Sequence, residues 1–120
     1  MKTWAVVGLG NNPERAAFGV AKLLHDKGHR IIPVYPRAET VHGEVGFKTL
    51  SEIPGPVDVV DCFVNSTLVG KVVDEAIAIG AKAVWLQLDV IDDDAIARAQ
   101  AAGLVTVMDR CPAIEYRKKS

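Results

Sequence analysis

The sequence holds little from which to build a covalent, metallic or membrane-bound framework. It has only two cysteines, Cys62 and Cys111, far apart and in no C-x-x-C arrangement. That pattern supports neither a disulfide framework nor a zinc site. No apolar run approaches the length of a membrane span. Strand-like sequence begins by Thr3, which leaves no room for a signal peptide, so a cytoplasmic protein with no membrane partner is the expectation. Net charge is only −1, so no global field would recruit nucleic acid or an anionic membrane. The one basic cluster, Arg117-Lys118-Lys119, reads as a short solvated tail.

Sets of catalytic residues are missing as well. There is no Ser-His-Asp set and no carboxylate pair with an obvious task. His25 and His29 have the i, i+4 spacing that suits zinc only on a continuous helix, and Gly28 interrupts it. His42 stands alone in what reads as a flexible loop. Cys111 lies beside Arg110, and a neighbouring cation lowers a thiol pKa. A structural or unreactive cysteine is the simpler reading. The expectation is a protein with no metal and no demonstrable catalysis.

What is present is an apolar chain with short, regular segments. Hydrophobic residues make up 49% of its 120 residues, mostly Val, Ala, Ile and Leu. This suits a layered α/β domain spanning 1–120, large enough to bury a proper core. Five β-rich runs alternate with helical stretches: TWAVVG (3–8), RIIPVY (30–35), VDVVDCFV (57–64), KAVWLQ (82–87) and LVTVM (104–108). Helices are expected over 13–27, 67–79 and 92–102, with Gly28, Gly80 and Gly103 as their stops. A short helix is expected at 50–53. Near-continuous apolar strands are those of a parallel sheet covered on both faces. Right-handed crossovers then favour a Rossmann-like doubly wound sheet in the order 3-2-1-4-5. In that order Asp61 lies on an edge strand, where a carboxylate is tolerable.

Ligands of such sheets bind at the carboxyl ends of the strands. The first loop there is GLGNNP. Gly8 and Gly10 allow a tight turn and a close approach of backbone to ligand. Asn12 suits an N-cap and Pro13 the first helical turn. The free amides of 10–15 and the helix dipole would face an anion, with Arg15 placed for a phosphate. The plain alternative is an ordinary β–α turn, since short glycine motifs also match by accident. After the second strand, Tyr35, Pro36 and Arg37 stand where an NAD site offers Asp or Glu to the ribose hydroxyls. A guanidinium there suits a ribose carrying an extra phosphate, as in NADP or coenzyme A, though Arg37 also reads as an ordinary loop arginine. Asn65 can cap the next helix or contact adenine or ribose. Gln87 emerges beside the phosphate loop with an amide donor and acceptor. Asp92 reads as an N-cap, with Asp93 and Asp94 in the first turn behind it.

Taken together, several stretches resemble the small stand-alone CoA-binding-domain family, a Rossmann-fold group related to the CoA-binding domain of the succinyl-CoA synthetase α subunit. They are AVVGL with NPER, HRIIPVYP, VDVVDCF, EAIAIGAKAVWLQL and VMDRCPAIEY, and they span nearly the whole chain. The resemblance implies CoA, or an acyl-CoA, lying over the first glycine loop. Gly10, Asn11, Asn12 and Arg15 would hold its phosphates, Arg37 the phosphorylated ribose or a phosphate, and Gln87 would line the crevice. The chain departs from the family at Ala17, where relatives commonly have a small polar residue. It departs again at Tyr35, which replaces an Asn, and at Asp89, which replaces a Gly. Two other functions stay open from the sequence. One is an NADP-binding oxidoreductase or redox sensor, which lacks here a catalytic domain and a proton donor. The other is an interaction module with no nucleotide ligand, for which Ala17 and Asp89 speak. A homodimer or an unidentified protein partner is compatible with each.

Overall fold

A computed structural model describes residues 2–110. Five strands and three helices alternate: β1 (Thr3–Val7), α1 (Ala16–Asp26), β2 (Arg30–Val34), β3 (Val59–Cys62), α2 (Ser66–Ala78), β4 (Ala83–Leu86), α3 (Asp93–Ala101) and β5 (Val105–Val107), with a 3-10 turn at Leu50–Glu52 between β2 and β3. All strand pairs are parallel. Gly28, Gly80 and Gly103 each take a positive φ just after a helix, as the sequence indicates.

The order across the sheet is β2-β1-β3-β4-β5, not the 3-2-1-4-5 read from the sequence. β3 lies between β1 and β4, with Val6 opposite Asp61 and Asp61 opposite Trp85. The burial of its residues explains the central place. All four residues of β3 are buried, whereas the outer strands β2 and β5 begin with exposed residues and β5 is nowhere fully buried. Asp61 is therefore not a tolerated edge carboxylate. It is fully buried at the middle of the sheet. The crevice between diverging connections accordingly lies between the carboxyl ends of β1 and β3.

Alternation along the strands divides the core into two layers. Ala5, Val7, Val60, Cys62, Val84 and Leu86 face α2 and α3, which add Val69, Val73, Ala76, Ala95 and Ala99. Trp4, Val6 and Val59 face α1, which adds Ala17, Val20, Ala21 and Leu24. Burying each of the larger aliphatic chains contributes about 1.5–3 kcal/mol.

The first helix begins later than its sequence suggests. Asn12 does not cap it: the Asn12 side chain accepts from the Glu14 N–H at 3.0 Å, and the Arg15 N–H donates to the Asn12 carbonyl at 3.1 Å. This closes a separate turn over residues 12–15, with Pro13 inside it, and Arg15 takes the cap position without a side-chain cap. Asn65 and Asp92 cap α2 and α3 as expected, accepting from the Thr67 N–H at 2.9 Å and the Ala95 N–H at 3.0 Å.

Candidate functional site

The loop after β1 is fixed by its first glycine. Gly8 has φ +98°, and a Cβ there would sit 2.4 Å from the Phe63 carbonyl oxygen. Only glycine lets the chain leave β1 so close to the end of β3. Three clefts surround this loop, and Gly8 and Arg15 line all of them.

The first, about 350 Å³, is lined by Gly8, Gly10, Asn11, Asn12, Arg15, Tyr35, Arg37 and Glu39. The residues nominated from the sequence as phosphate ligands thus share one cleft. Neither the Arg15 nor the Arg37 guanidinium has an ion-pair or hydrogen-bond partner among the described residues, and both residues are exposed. Two guanidiniums beside backbone amides favour an anionic ligand. The amides are fewer than the sequence suggests, because Glu14 and Arg15 use theirs in the turn over 12–15 and Asn11 donates to Glu39.

Glu39 was missed, and the end of β2 is not without an acid. Tyr35–Ala38 form a turn closed by the Ala38 N–H on the Tyr35 carbonyl at 2.8 Å. Pro36, with its preset φ, takes the second place, and Ala38 has φ +50°. The turn sends the chain back against the glycine loop. The Glu39 Oε1 accepts from the Asn11 N–H at 2.7 Å, and the Asn11 side-chain amide donates to the Thr40 carbonyl. A Cβ on Gly46 would lie 2.1 Å from the Glu39 carbonyl oxygen, so that glycine is what allows the return. The cue in the sequence was a proline turn with an acid just beyond it, and a glycine some residues on.

The loop also does more to hold His42 than its sequence indicates. Val41 is fully buried under α1. His42 Nε2 lies 3.0 Å from the Phe18 carbonyl, which can only accept, so Nε2 carries the proton. The His42 and Phe18 rings are 4.3 Å apart. Of the other histidines, His29 Nδ1 accepts from the Lys2 N–H at 3.2 Å and His25 lies 3.7 Å from the Asp26 carboxylate. No group of three His, Cys, Asp or Glu side chains suited to a metal occurs among the described residues. Cys111 lies outside them.

The second cleft, about 450 Å³, is mainly apolar. It runs from Val34, Tyr35 and Pro36 past Phe63 and Val64 to Asn65, Leu68 and Val72 on α2, with Lys48 and Lys71 also lining it. The third, about 210 Å³, lies between the start of α1 and the end of β4, lined by Ala16, Ala17, Phe63, Val64, Gln87, Leu88 and Val90. Ala17 is buried there, and its methyl offers a ligand no hydrogen bond. Asp89 lines none of the three.

Gln87 is 4% exposed and leans on Asp61, its Nε2 donating to the Asp61 Oδ1 at 2.5 Å. The other carboxyl oxygen of Asp61 is buried with no partner. Burial pushes the Asp61 carboxyl up to about 8, against a weaker opposing effect of the Gln87 hydrogen bond. At neutral pH it therefore holds its proton, which spares the core a bare charge. Burial, with the adjacent Asp61 a smaller cause, also pushes the Cys62 thiol upward, so this cysteine is an inert core residue.

Comparison with known proteins places the chain in a family. The profile of the CoA binding domain family matches residues 2–117. An uncharacterised protein of Bacillus subtilis, YneT, is 34% identical over 110 residues, covering 92% of this chain and 82% of that protein. The α subunit of the ADP-forming acetate–CoA ligase II of Pyrococcus furiosus is 35% identical over 81 residues, 67% of this chain but only 18% of the subunit. Among solved structures, a hypothetical protein of Pyrococcus horikoshii superposes with a TM-score of 0.93 at 38% identity, covering 98% of this chain and 82% of that one. The chain belongs to the CoA-binding domain family.

Proposed function

We propose that this member of the CoA-binding domain family is a single-domain binder of coenzyme A or an acyl-CoA and carries out no chemistry on it. The observation that carries the reading is the meeting of three chemically different clefts on one loop, with Gly8 and Arg15 common to all. An apolar groove suits a purine, unpaired arginines beside loop amides suit phosphates, and a smaller cleft lined by Gln87 suits an amide-bearing arm. Coenzyme A has those parts in that order. In this reading Gly8 and Gly10 admit the pyrophosphate to the backbone and Asn11, Asn12 and Arg15 surround it. Arg37 meets the ribose phosphate, Asn65 borders the purine and Gln87 the arm.

A second reading, a nicotinamide dinucleotide, is favoured by Glu39, an acid where such sites keep one. Thermal shift separates the two. Coenzyme A is expected to raise the melting temperature more than NAD, with NADP between them. At a hundredfold excess over Kd, binding adds about 2.7 kcal/mol, a shift of several degrees in a domain of this size. A larger shift with NAD than with CoA would sink the reading. Mass spectrometry of small molecules released from the purified protein is the complementary measurement.

A further inference from the structure

The phosphate cleft contains one side chain that phosphate binding does not explain. Glu39 places a carboxylate in the same cleft as two arginines, yet pairs with neither. Its Oε1 is taken by the Asn11 N–H, and its Oε2 has no partner among the described residues. The side chain is half-buried, and the backbone behind it is held by the close approach of Gly46 and by the Asn11 amide on Thr40. The cleft therefore presents one fixed, unused acceptor beside two unused cations.

A carboxylate oxygen can only accept, so the group it meets on a ligand must carry a hydrogen. A phosphate without a proton is repelled there. In a nucleotide whose phosphates lie on the loop amides and Arg15, the neighbouring donors are sugar hydroxyls. We propose that Glu39 is a specificity-determining residue of this cleft, accepting a hydrogen bond from a ribose hydroxyl of the bound nucleotide. The inference rests on the nucleotide reading above and adds a division of labour to it. Arg37 takes the phosphorylated position of the ribose and Glu39 the free hydroxyl beside it.

The test compares adenosine 3′,5′-bisphosphate with its 2′-deoxy analogue by calorimetry, in the wild type, Glu39→Gln and Glu39→Ala. Removing a negative charge near phosphates affects both ligands alike, so it cancels in the ratio of their dissociation constants. Glutamine keeps an oxygen for the Asn11 N–H and can still make a weaker, uncharged contact to the hydroxyl. Thermal melts of both variants check that the loop remains folded. The wild type is expected to prefer the ribo ligand about ten-fold or more, glutamine a few-fold and alanine not at all, following the greater strength of hydrogen bonds to charged groups. An unchanged ratio across the three proteins would overturn the proposal, as would a ratio near one in the wild type. If CoA still binds in those cases, the CoA reading survives without this role for Glu39. If neither CoA nor the bisphosphates bind the wild type, both fall together.

Discussion

On the β2 side of the glycine loop, the charged side chains that line the cleft stand at its surface or half-buried. The Arg15 and Arg37 guanidiniums have no partner among the described residues, and Glu39 is tied to the backbone by one oxygen. On the β4 side, the cleft is lined by Gln87, which is buried and held by Asp61, itself buried at the middle of the sheet. The first flank can exchange its chemistry with little consequence for folding, because exposed side chains contribute little to stability. The second cannot, because a buried polar pair is costly to leave half satisfied. Binding and stability are separable on one side of the loop and joined on the other.

The largest expected effect falls on Gly8, whose backbone both flanks share. Gly8→Ala demands a side chain at φ +98° with its Cβ 2.4 Å from the Phe63 carbonyl oxygen. Backbone strain and the clash together cost on the order of 3 kcal/mol or more, and CoA binding should be lost with the loop geometry. A Cβ at Gly10 would have Glu39 Oε1 at 3.1 Å and the Tyr35 ring at 3.4 Å as its nearest neighbours, so Gly10→Ala should lower the denaturation midpoint far less than Gly8→Ala. Equal midpoints for the two variants would break the picture of a loop fixed at Gly8.

The β4 flank predicts a pH dependence of stability. In the folded protein the Asp61 carboxyl is raised from 3.8 to about 8. The folded state thus holds a proton that the unfolded chain has released. Its stabilising contribution is complete below about pH 4 and is lost as the pH rises toward about 8, with a slope approaching about 1.4 kcal/mol per pH unit. Asp61→Asn should flatten that decline, so the stability difference between the two proteins should change with pH across this window. Parallel pH profiles in urea denaturation would mean that Asp61 ionises freely and that the two flanks do not differ in kind.

Arg37 tests the opposite flank at a smaller energy. Arg37→Ala should weaken CoA more than dephospho-CoA, which lacks the ribose phosphate. The ratio of dissociation constants should change about ten- to a hundredfold, the worth of a charge-assisted contact of about 1.5–3 kcal/mol. The melting temperature of the free protein should barely move. Equal loss for both ligands would place Arg37 on the pyrophosphate, and a large loss of stability would deny that this flank is separable from the fold.

The elements were legible because apolar runs, glycine stops and capping residues are local signals. Strand order was not, because VDVVDCFV reads the same at the centre of a parallel sheet as at its edge. Asp61 read as an edge carboxylate because its partner, Gln87, lies 26 residues on and is invisible to any local pattern. The glycine loop and Arg37 were found by proximity to strand ends. Glu39 escaped because a proline turn carries it back from beyond that window. Asn12 suited a helix cap by type, but a turn closing on itself competed for the same side chain and won.

Asp89 gives the smallest effect and the sharpest form of the comparison. A negative charge where relatives have glycine would be expected to disturb an anionic ligand nearby. The structure gives the position another meaning. Asp89 has φ +66°, a conformation glycine adopts freely. Its N–H donates to the Asp109 carboxylate at 2.7 Å and its carbonyl accepts from the Ser66 hydroxyl at 3.3 Å. Its exposed side chain lines none of the three clefts around the glycine loop. Asp89→Gly keeps both backbone contacts and removes the left-handed penalty of about 1–2 kcal/mol, which aspartate bears less heavily than most residues. Against that stands the greater freedom of glycine in the unfolded chain, about 0.4–1 kcal/mol. The net expectation is a gain of roughly 1 kcal/mol or less in denaturant unfolding, with the CoA dissociation constant unchanged. A tighter CoA complex without added stability would show that the charge does reach the ligand, and that the β4 flank, like the other, can be tuned from its surface.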